Sequence, residues 1–302
     1  MPVPSVGVVT VTYRSSADVV DFLRSVRATA DVQKTVVVDN LSEHSDEIER
    51  AVRAEGAEII RLDDNLGYGL AVNAGIAAMP QDVEFVLISN PDVRLQDGAV
   101  GTLVARLQAQ PRTAAVGPRI LNEDGSIYPS ARRVPSLREG VGHALFARLW
   151  PANPWTRHYR QDSAPSDEAR TVGWLSGACL MVRRSAFDEI HGFDGEYFMY
   201  FEDVDLGYRF GRAGWNNRYE PGASVTHVGG TSTSRDAARM LRVHHRSADR
   251  FLSRKYQGWY LAPLRWSLHV GLEVRARCVT RGLRGAASPD PRQPRSDDRY
   301  RP

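Results

Sequence analysis

Cysteine is scarce in this chain: 302 residues include two, Cys179 and Cys278. Two thiols exclude a disulfide-framed scaffold and are ordinary filler in a reduced cytosolic protein. Long apolar runs are also missing. The best stretch, Trp259–Leu272, is interrupted by Pro263, Arg265 and His269 and falls short of the roughly 18 apolar residues of a membrane span. The amino terminus, MPVPSVGVVTVTYRSS, has no charged segment leading into an apolar core, so no signal peptide is expected. No internal repeat is present. What remains is a composition of 42% hydrophobic and 25% charged residues, which suits one large or two small globular domains with a substantial core.

Charge is spread unevenly. The net value is +3, yet residues 232–302 hold 16 Lys/Arg against 6 Asp/Glu, which leaves −7 on residues 1–231. A basic end beside an acidic body suits contact with phosphate, nucleic acid or an anionic membrane, or else forms a solvated Arg-rich face. No nucleic-acid motif accompanies the charge, and no nucleic-acid partner is expected.

Val6–Val11 is a short, β-branched apolar run, the signature of a strand buried on both faces. A helix follows, capped by Ser15 or Ser16, with Val19, Phe22, Leu23 and Val26 on one face. The alternation continues with strands at Thr35–Val38, Glu58–Leu62 and Phe85–Ile88 and helices at Ile48–Ala54 and Ala71–Ala78. This pattern predicts a parallel α/β sheet with ligands beyond the carboxyl ends of its strands, where Asp39 and Asp92 fall. Residues 122–170 read as a proline-punctuated loop region with one helix around Leu137–Leu149. Order returns with strands at Ala178–Val182 and Ala223–His227 and helices at Val204–Ala213 and Ala237–Lys255. After Gly285 the composition is that of a disordered tail.

Four groups of residues carry candidate chemistry. Asp39, closing the strand TVVVDN, is placed to accept hydrogen bonds from a nucleoside. The segment Asn65–Gly75 is not a dinucleotide fingerprint, because the third glycine falls at Val72; its glycines instead let backbone approach a ligand at a helix start. Asn90-Pro91-Asp92 sets a carboxylate where a Mg²⁺ or Mn²⁺ ion bridging a diphosphate needs oxygen, and His227, ending ASVTH before two glycines, is a complementary ligand. In Phe198–Asp205 three acids crowd behind an aromatic run. Apolar surroundings and neighbouring carboxylates raise a carboxyl pKa toward that of a general base, and Asp203 is the candidate, with Glu202 or Asp205 serving the helix start.

In order, TVVVDN, NLGYGLAVNAG, ISNPDV, GWLSGACLMVRRSAF, GFDGEYFMYFEDVDLGYR and HVGGTS resemble the family 2 glycosyltransferases of the GT-A fold, and within them bacterial rhamnosyltransferases. The resemblance spans roughly residues 5–256. It implies a GT-A domain over 1–256; the composition beyond it gives a basic amphipathic extension over 257–285, which either lies near a membrane or packs as a helix on the domain, and a disordered tail over 286–302. Thr12, Tyr13 and Asp39 would contact the donor, together with Asn65, Gly67, Asn73 and Asn90. Asp92 and His227 would hold Mg²⁺ or Mn²⁺, Asp203 would be the base, and Trp174, Gly177 and Glu202 would meet the acceptor. Asn90 departs from the family's charged Asp-x-Asp pattern, which leaves one formal negative charge in the motif. The implied reaction moves rhamnose with inversion from dTDP-β-L-rhamnose to a lipid-linked diphospho-sugar, polyprenyl-diphospho-N-acetylglucosamine, in cell-wall linker assembly. The enzyme would work as a peripheral protein on the cytoplasmic face of the plasma membrane. A UDP- or GDP-sugar donor and a catalytically silent nucleotide- or glycan-binding protein are the alternatives.

Overall fold

A computed structural model describes residues 4–13, 16–29, 32–42, 45–136, 167–229 and 237–271. The expected helix at Leu137–Leu149 and the tail 286–302 lie outside the described residues. The chain forms two compact units, Met1–Arg235 and Asp236–Pro302.

The first unit is built on strands β1 (Val6–Thr12), β2 (Lys34–Asp39), β3 (Glu58–Arg61), β4 (Phe85–Ser89), β5 (Val93–Leu95), β6 (Thr113–Asn122), β11 (Cys179–Arg183) and β12 (Asn216–His227), in the order β3-β2-β1-β4-β11-β6-β12-β5. β1 pairs in parallel with β2 and β4, as does β2 with β3 and β6 with β12. β11 runs against both β4 and β6, and β5 runs against β12. The expected sheet is therefore mixed: of these eight strands β11 and β5 are reversed against the common direction of the other six.

Continuous apolar runs follow from burial on both faces. Val8, Val37, Phe85 and Leu87 enter one core layer with Phe22 and Leu23 of α1 (Ser16–Thr29), Ile48 of α2 (Ser45–Ala54) and Leu103 of α4 (Ala99–Ala109). Their alternates Val9, Val36, Val38, Val86 and Ile88 enter the other, with Val72 and Ile76 of α3 (Tyr68–Ala77), Phe187 of α5 (Arg184–Glu189) and Phe210 of α6 (Glu202–Arg212). Period-2 alternation thus sends every second strand residue into each layer.

The proline-punctuated region is more ordered than expected where it is described. It holds β7 (Ile127–Tyr128), which pairs with β6, and β8 (Ala131–Arg132), and it leads into β9 (Arg170–Val172), which pairs with β12. β8 and β10 (Trp174–Leu175) form a separate two-stranded ribbon with Arg132 opposite Trp174 and Ala131 opposite Leu175. Strands this short carry no readable periodicity, so their pairing rests on tertiary hydrogen bonds.

In the second unit, α7 (Ala237–Lys255) is followed by a 3₁₀ turn at Trp259–Leu261 and helix over 262–271. Arg265 donates to the carbonyls of Tyr256 (2.7 Å) and Gly258 (2.8 Å), and His269 Nδ1 lies 2.9 Å from Asp249, so the later helix folds back on α7. Among the described residues no helix is long and apolar enough to cross a membrane.

Candidate active site

β4 ends in a tight turn. The Asn90 amide donates to Ala178 of the reversed strand region (2.9 Å), and Val93 N–H closes the turn onto the Asn90 carbonyl (3.4 Å). Arg94 stiffens it by donating to the carbonyls of Pro91 (3.2 Å) and Val93 (3.1 Å) and to Asp21 of α1 (3.1 Å). Opposite, the end of β12 registers His227 on Val93, and Val228 N–H donates to the Asp92 carbonyl (2.9 Å). The two residues expected to share a cation therefore meet, with His227 Nε2 3.1 Å from Asp92 Oδ1 and both side chains half-buried. Asp18 lies within the same field: burial first, then the Asp92 charge, pushes its carboxyl up, while Arg94 pulls it down.

Among the described residues no three His, Cys, Asp or Glu side chains converge as a self-sufficient metal cage. One carboxylate oxygen and one imidazole nitrogen fit a cation that takes its remaining oxygens from a diphosphate, the usual arrangement for Mg²⁺ at phosphates. The donor set fits the group the sequence implies.

The acidic segment is reached through strained backbone. Tyr200 and Phe201 both sit at φ of 65°, a left-handed conformation that costs an aromatic residue about 1–3 kcal/mol and clusters at functional sites. This bend aims the first turn of α6 inward. Asp203 Oδ2 accepts the Gly177 amide (3.0 Å) and Oδ1 accepts the Val204 amide (2.8 Å). Burial raises the Asp203 carboxyl above the usual range, opposed by those amides and by the Arg132 charge. Glu202 beside it is buried, its pKa is raised by burial and then by Asp203, and among the described residues its Oε2 has no hydrogen-bond partner. Asp205 serves the helix instead: fully buried, it pairs with Arg209 one turn on (2.5 Å), and Arg209 also donates to the Ile190 carbonyl (2.8 Å). The structure thus separates one helix-stabilising acid, Asp205, from two neighbouring acids whose pKa is pushed up by burial.

Gly207 lets this helix reach the ribbon. A Cβ there would lie 2.6 Å from Trp174 Cβ and 2.7 Å from its Cα, so any side chain would push α6 off β10 and draw Asp203 away from Gly177.

The Asn65–Gly75 segment acts mainly as a brace. Asn40 donates to Asn65 (2.9 Å) and accepts the Leu66 amide (3.0 Å), while Asn65 also accepts the Gly67 amide (3.1 Å). Gly67, at φ of 84°, passes so close to the Phe198 carbonyl that a side chain would collide with it, and Tyr68 N–H donates to that same carbonyl (3.1 Å). Asn73 brackets Phe193 with two bonds, donating to its carbonyl (2.8 Å) and accepting its amide (2.9 Å). Gly67 and Tyr68 therefore meet the start of the aromatic run that precedes Asp203, Asn65 shapes the turn before them, and Asn73 secures Phe193 upstream of the run. Asp39 is buried and accepts the Ser42 amide (2.9 Å), and it is the registered neighbour of Thr12 at the end of β1, with half-buried Tyr13 next in sequence.

Sequence reasoning misses Tyr68, yet it sits at the centre. Its hydroxyl donates to the Gly177 carbonyl (2.7 Å), so Gly177 is held on one side by Tyr68 and holds Asp203 on the other. Burial, then Glu202, Cys179, Asp203 and Asp92, keeps this phenol protonated far above its ordinary pKa. Gly177 meets Asp203 and its neighbour Ala178 accepts the Asn90 amide, so the acidic segment and the Asp92 turn lie in one neighbourhood. A tyrosine between two glycines at a helix start is the only sequence signal for it.

The family model "Glycosyltransferase like family 2" matches residues 1–247. The N-acetylglucosaminyl-diphospho-decaprenol L-rhamnosyltransferase of Mycobacterium tuberculosis is 43% identical over 284 residues, covering 91% of this chain and 92% of that protein. Rhamnosyltransferase WbbL of Escherichia coli K12 is 27% identical over 196 residues, covering 62% of this chain and 71% of that one. Among solved structures, the mannosyltransferase PcManGT of Pyrobaculum calidifontis, in complex with GDP-Man and Mn²⁺, superposes with a TM-score of 0.56 at 14% identity over 95% of this chain and 77% of that one, a likeness of fold. A sheet of this order, two neighbouring acids of raised pKa at a helix start and a match across most of its length agree: the chain is a glycosyltransferase, and it belongs to glycosyltransferase family 2.

Proposed function

We propose that the chain transfers L-rhamnose from dTDP-β-L-rhamnose to a polyprenyl-diphospho-N-acetylglucosamine, with inversion, in cell-wall linker assembly. The observation that carries this reading is Asp203: one half-buried carboxylate, its pKa raised, held by Gly177, whose neighbour Ala178 accepts the Asn90 amide of the Asp92 turn. The 43% identical mycobacterial relative supports the sugar and the acceptor class. A single displacement needs one base and no protein nucleophile. The acceptor oxygen forms its bond to the anomeric carbon as the bond to the nucleotide diphosphate breaks, and its proton passes to Asp203; a β-linked donor then yields an α-rhamnoside. Asp92 and His227 would hold Mg²⁺ or Mn²⁺, which neutralises charge developing on the leaving diphosphate. Asp39, Thr12 and Tyr13 would meet the nucleoside side, and Asn90 the phosphate side. Trp174, Gly177 and Glu202 would line the acceptor side. A silent binding protein fits less well, because base and both metal ligands are retained.

Incubation with a panel of nucleotide sugars and a short-chain polyprenyl-diphospho-N-acetylglucosamine is the test. Transfer is expected from dTDP-rhamnose and only with added Mg²⁺ or Mn²⁺. Transfer solely from a UDP- or GDP-sugar would overturn the rhamnose assignment and leave the family intact.

The same proposal takes residues 1–256 as the catalytic domain and 257–285 as a membrane-proximal extension. Trp259, Tyr260 and Trp266 are 86%, 68% and 69% exposed, and with Leu264 and Leu268 they make an apolar set suited to a lipid interface, with Arg265 as a basic residue of the same segment. Arg275, Arg277 and Arg281 of that extension lie outside the described residues. Full-length protein is expected to sediment with vesicles containing anionic lipid, and deletion of 257–302 to abolish this. Sedimentation unchanged by the deletion would place membrane contact elsewhere.

A further inference from the structure

The β8–β10 ribbon brings a cation to the acceptor side that the mechanism above does not use. Arg132 and Trp174 face each other in its register, so their side chains leave the same face. The ribbon is tied along its length: Ser176 N–H donates to Ser130 (2.7 Å), Gly173 N–H to the Arg132 carbonyl (2.9 Å), and Trp174 Nε1 to the Arg133 carbonyl (3.0 Å). Two residues beyond β10 stands Gly177, whose amide meets Asp203. Arg132 is therefore fixed by the element that positions the base.

Its own partners are few. Nε donates to the Pro129 carbonyl (3.1 Å), and among the described residues the terminal guanidinium nitrogens have no protein partner. Arg94, Arg106, Arg119, Arg184 and Arg209 of the same unit each meet a carboxylate. A half-buried guanidinium whose charge reaches Asp203 but which has no carboxylate at ion-pair distance among the described residues is suited to an anion from outside the chain. Its planar fork matches two phosphate oxygens. The donor's diphosphate belongs with Asp92 and His227 at the β5–β12 edge, whereas Arg132 stands with the acceptor-side residues Trp174 and Gly177.

We propose that Arg132 recognises the diphosphate of the lipid-linked acceptor, while Trp174 beside it supports the acceptor sugar and Asp203 faces the reacting hydroxyl. This rests on the acceptor class proposed above. The arginine then makes a diphosphate-linked sugar a better ligand than the same sugar on a neutral aglycone. Its charge also favours the ionised form of Asp203, so it acts on the base as well as on the ligand.

Equilibrium binding with two probes tests it: N-acetylglucosamine joined through diphosphate to a short prenyl chain, and octyl β-N-acetylglucosaminide. Wild type is expected to bind the first roughly 10–100-fold more tightly, the worth of charge-assisted hydrogen bonds to phosphate. Arg132→Gln should lose that preference while its affinity for dTDP, its affinity for the neutral probe and its melting temperature stay unchanged, and Arg132→Lys should restore part of it. Equal binding of both probes by wild type, or a preference that survives Arg132→Gln, overturns the proposal. A parallel loss of dTDP affinity overturns it as well, by assigning the arginine to the donor. Absence of transfer from dTDP-rhamnose with the probe preference intact sinks the donor reading alone.

Discussion

Replacing Asp203 by Asn is expected to lower kcat about 10²–10⁴-fold, the usual worth of a general base, with little change in the affinity for the nucleotide. The amide keeps the shape of the side chain, and its oxygen can still accept the Gly177 or Val204 amide, so folding should survive. The ability to take a proton is what disappears. Wild-type turnover should carry an acid limb: burial raises the Asp203 pKa, the base works only when ionised, and kcat therefore rises with pH through a value above the ordinary carboxylate range. In Asp203→Asn that limb should vanish with the rate. A folded variant with near-normal turnover and an unchanged limb would remove Asp203 from the chemistry and direct attention to Glu202.

Asp92→Ala should cost roughly 10²–10³-fold in kcat/KM at saturating Mn²⁺, a few kcal/mol of charge stabilisation at the leaving group. Asn90 makes the loss severe. It supplies no charge, so Asp92 is the one carboxylate in the turn, and the neutral imidazole of His227, 3.1 Å away, would not replace it. Chelation should bring wild type down to the floor of the variant and leave the variant where it is, because both remove the same interaction. Equal stimulation of both proteins by the cation would show that the ion binds elsewhere. For the same reason cation affinity in wild type should be weak alone and rise when dTDP supplies its phosphate oxygens.

Much of this architecture is legible in the sequence, for physical reasons that also mark its limits. A strand buried on both faces needs a continuous apolar run, so β1, β2 and β4 are readable, and with them the carboxyl-end positions of Asp39 and Asp92. Apolarity carries no arrow, however, so the reversal of β11 between β4 and β6 is not. The long strand β12 is readable only over its last residues, because its pairing with β6 shifts register between Glu220 and Ser224. Two-residue strands hide among prolines, which conceals the ribbon bearing Arg132. Tyr68 escapes notice because its importance lies in one hydroxyl bond to a residue 109 positions away. Left-handed Tyr200 and Phe201 oppose local preference, and only the tertiary fold holds them. The expected meeting of Asp92 with His227 comes about through β5, a strand too short to read in the sequence, which starts next to Asp92 and runs against the end of β12.

Gly177 has a bearing on how such an enzyme is mapped. Its amide and its carbonyl serve Asp203 and Tyr68, and neither group belongs to a side chain. Alanine scanning leaves both in place and adds a methyl that would sit 3.2 Å from Tyr68 Cε1, so a loss there would report crowding and be credited to the residue's chemistry. Main-chain editing, an ester in place of the amide at position 177, is the perturbation that reads the contact itself.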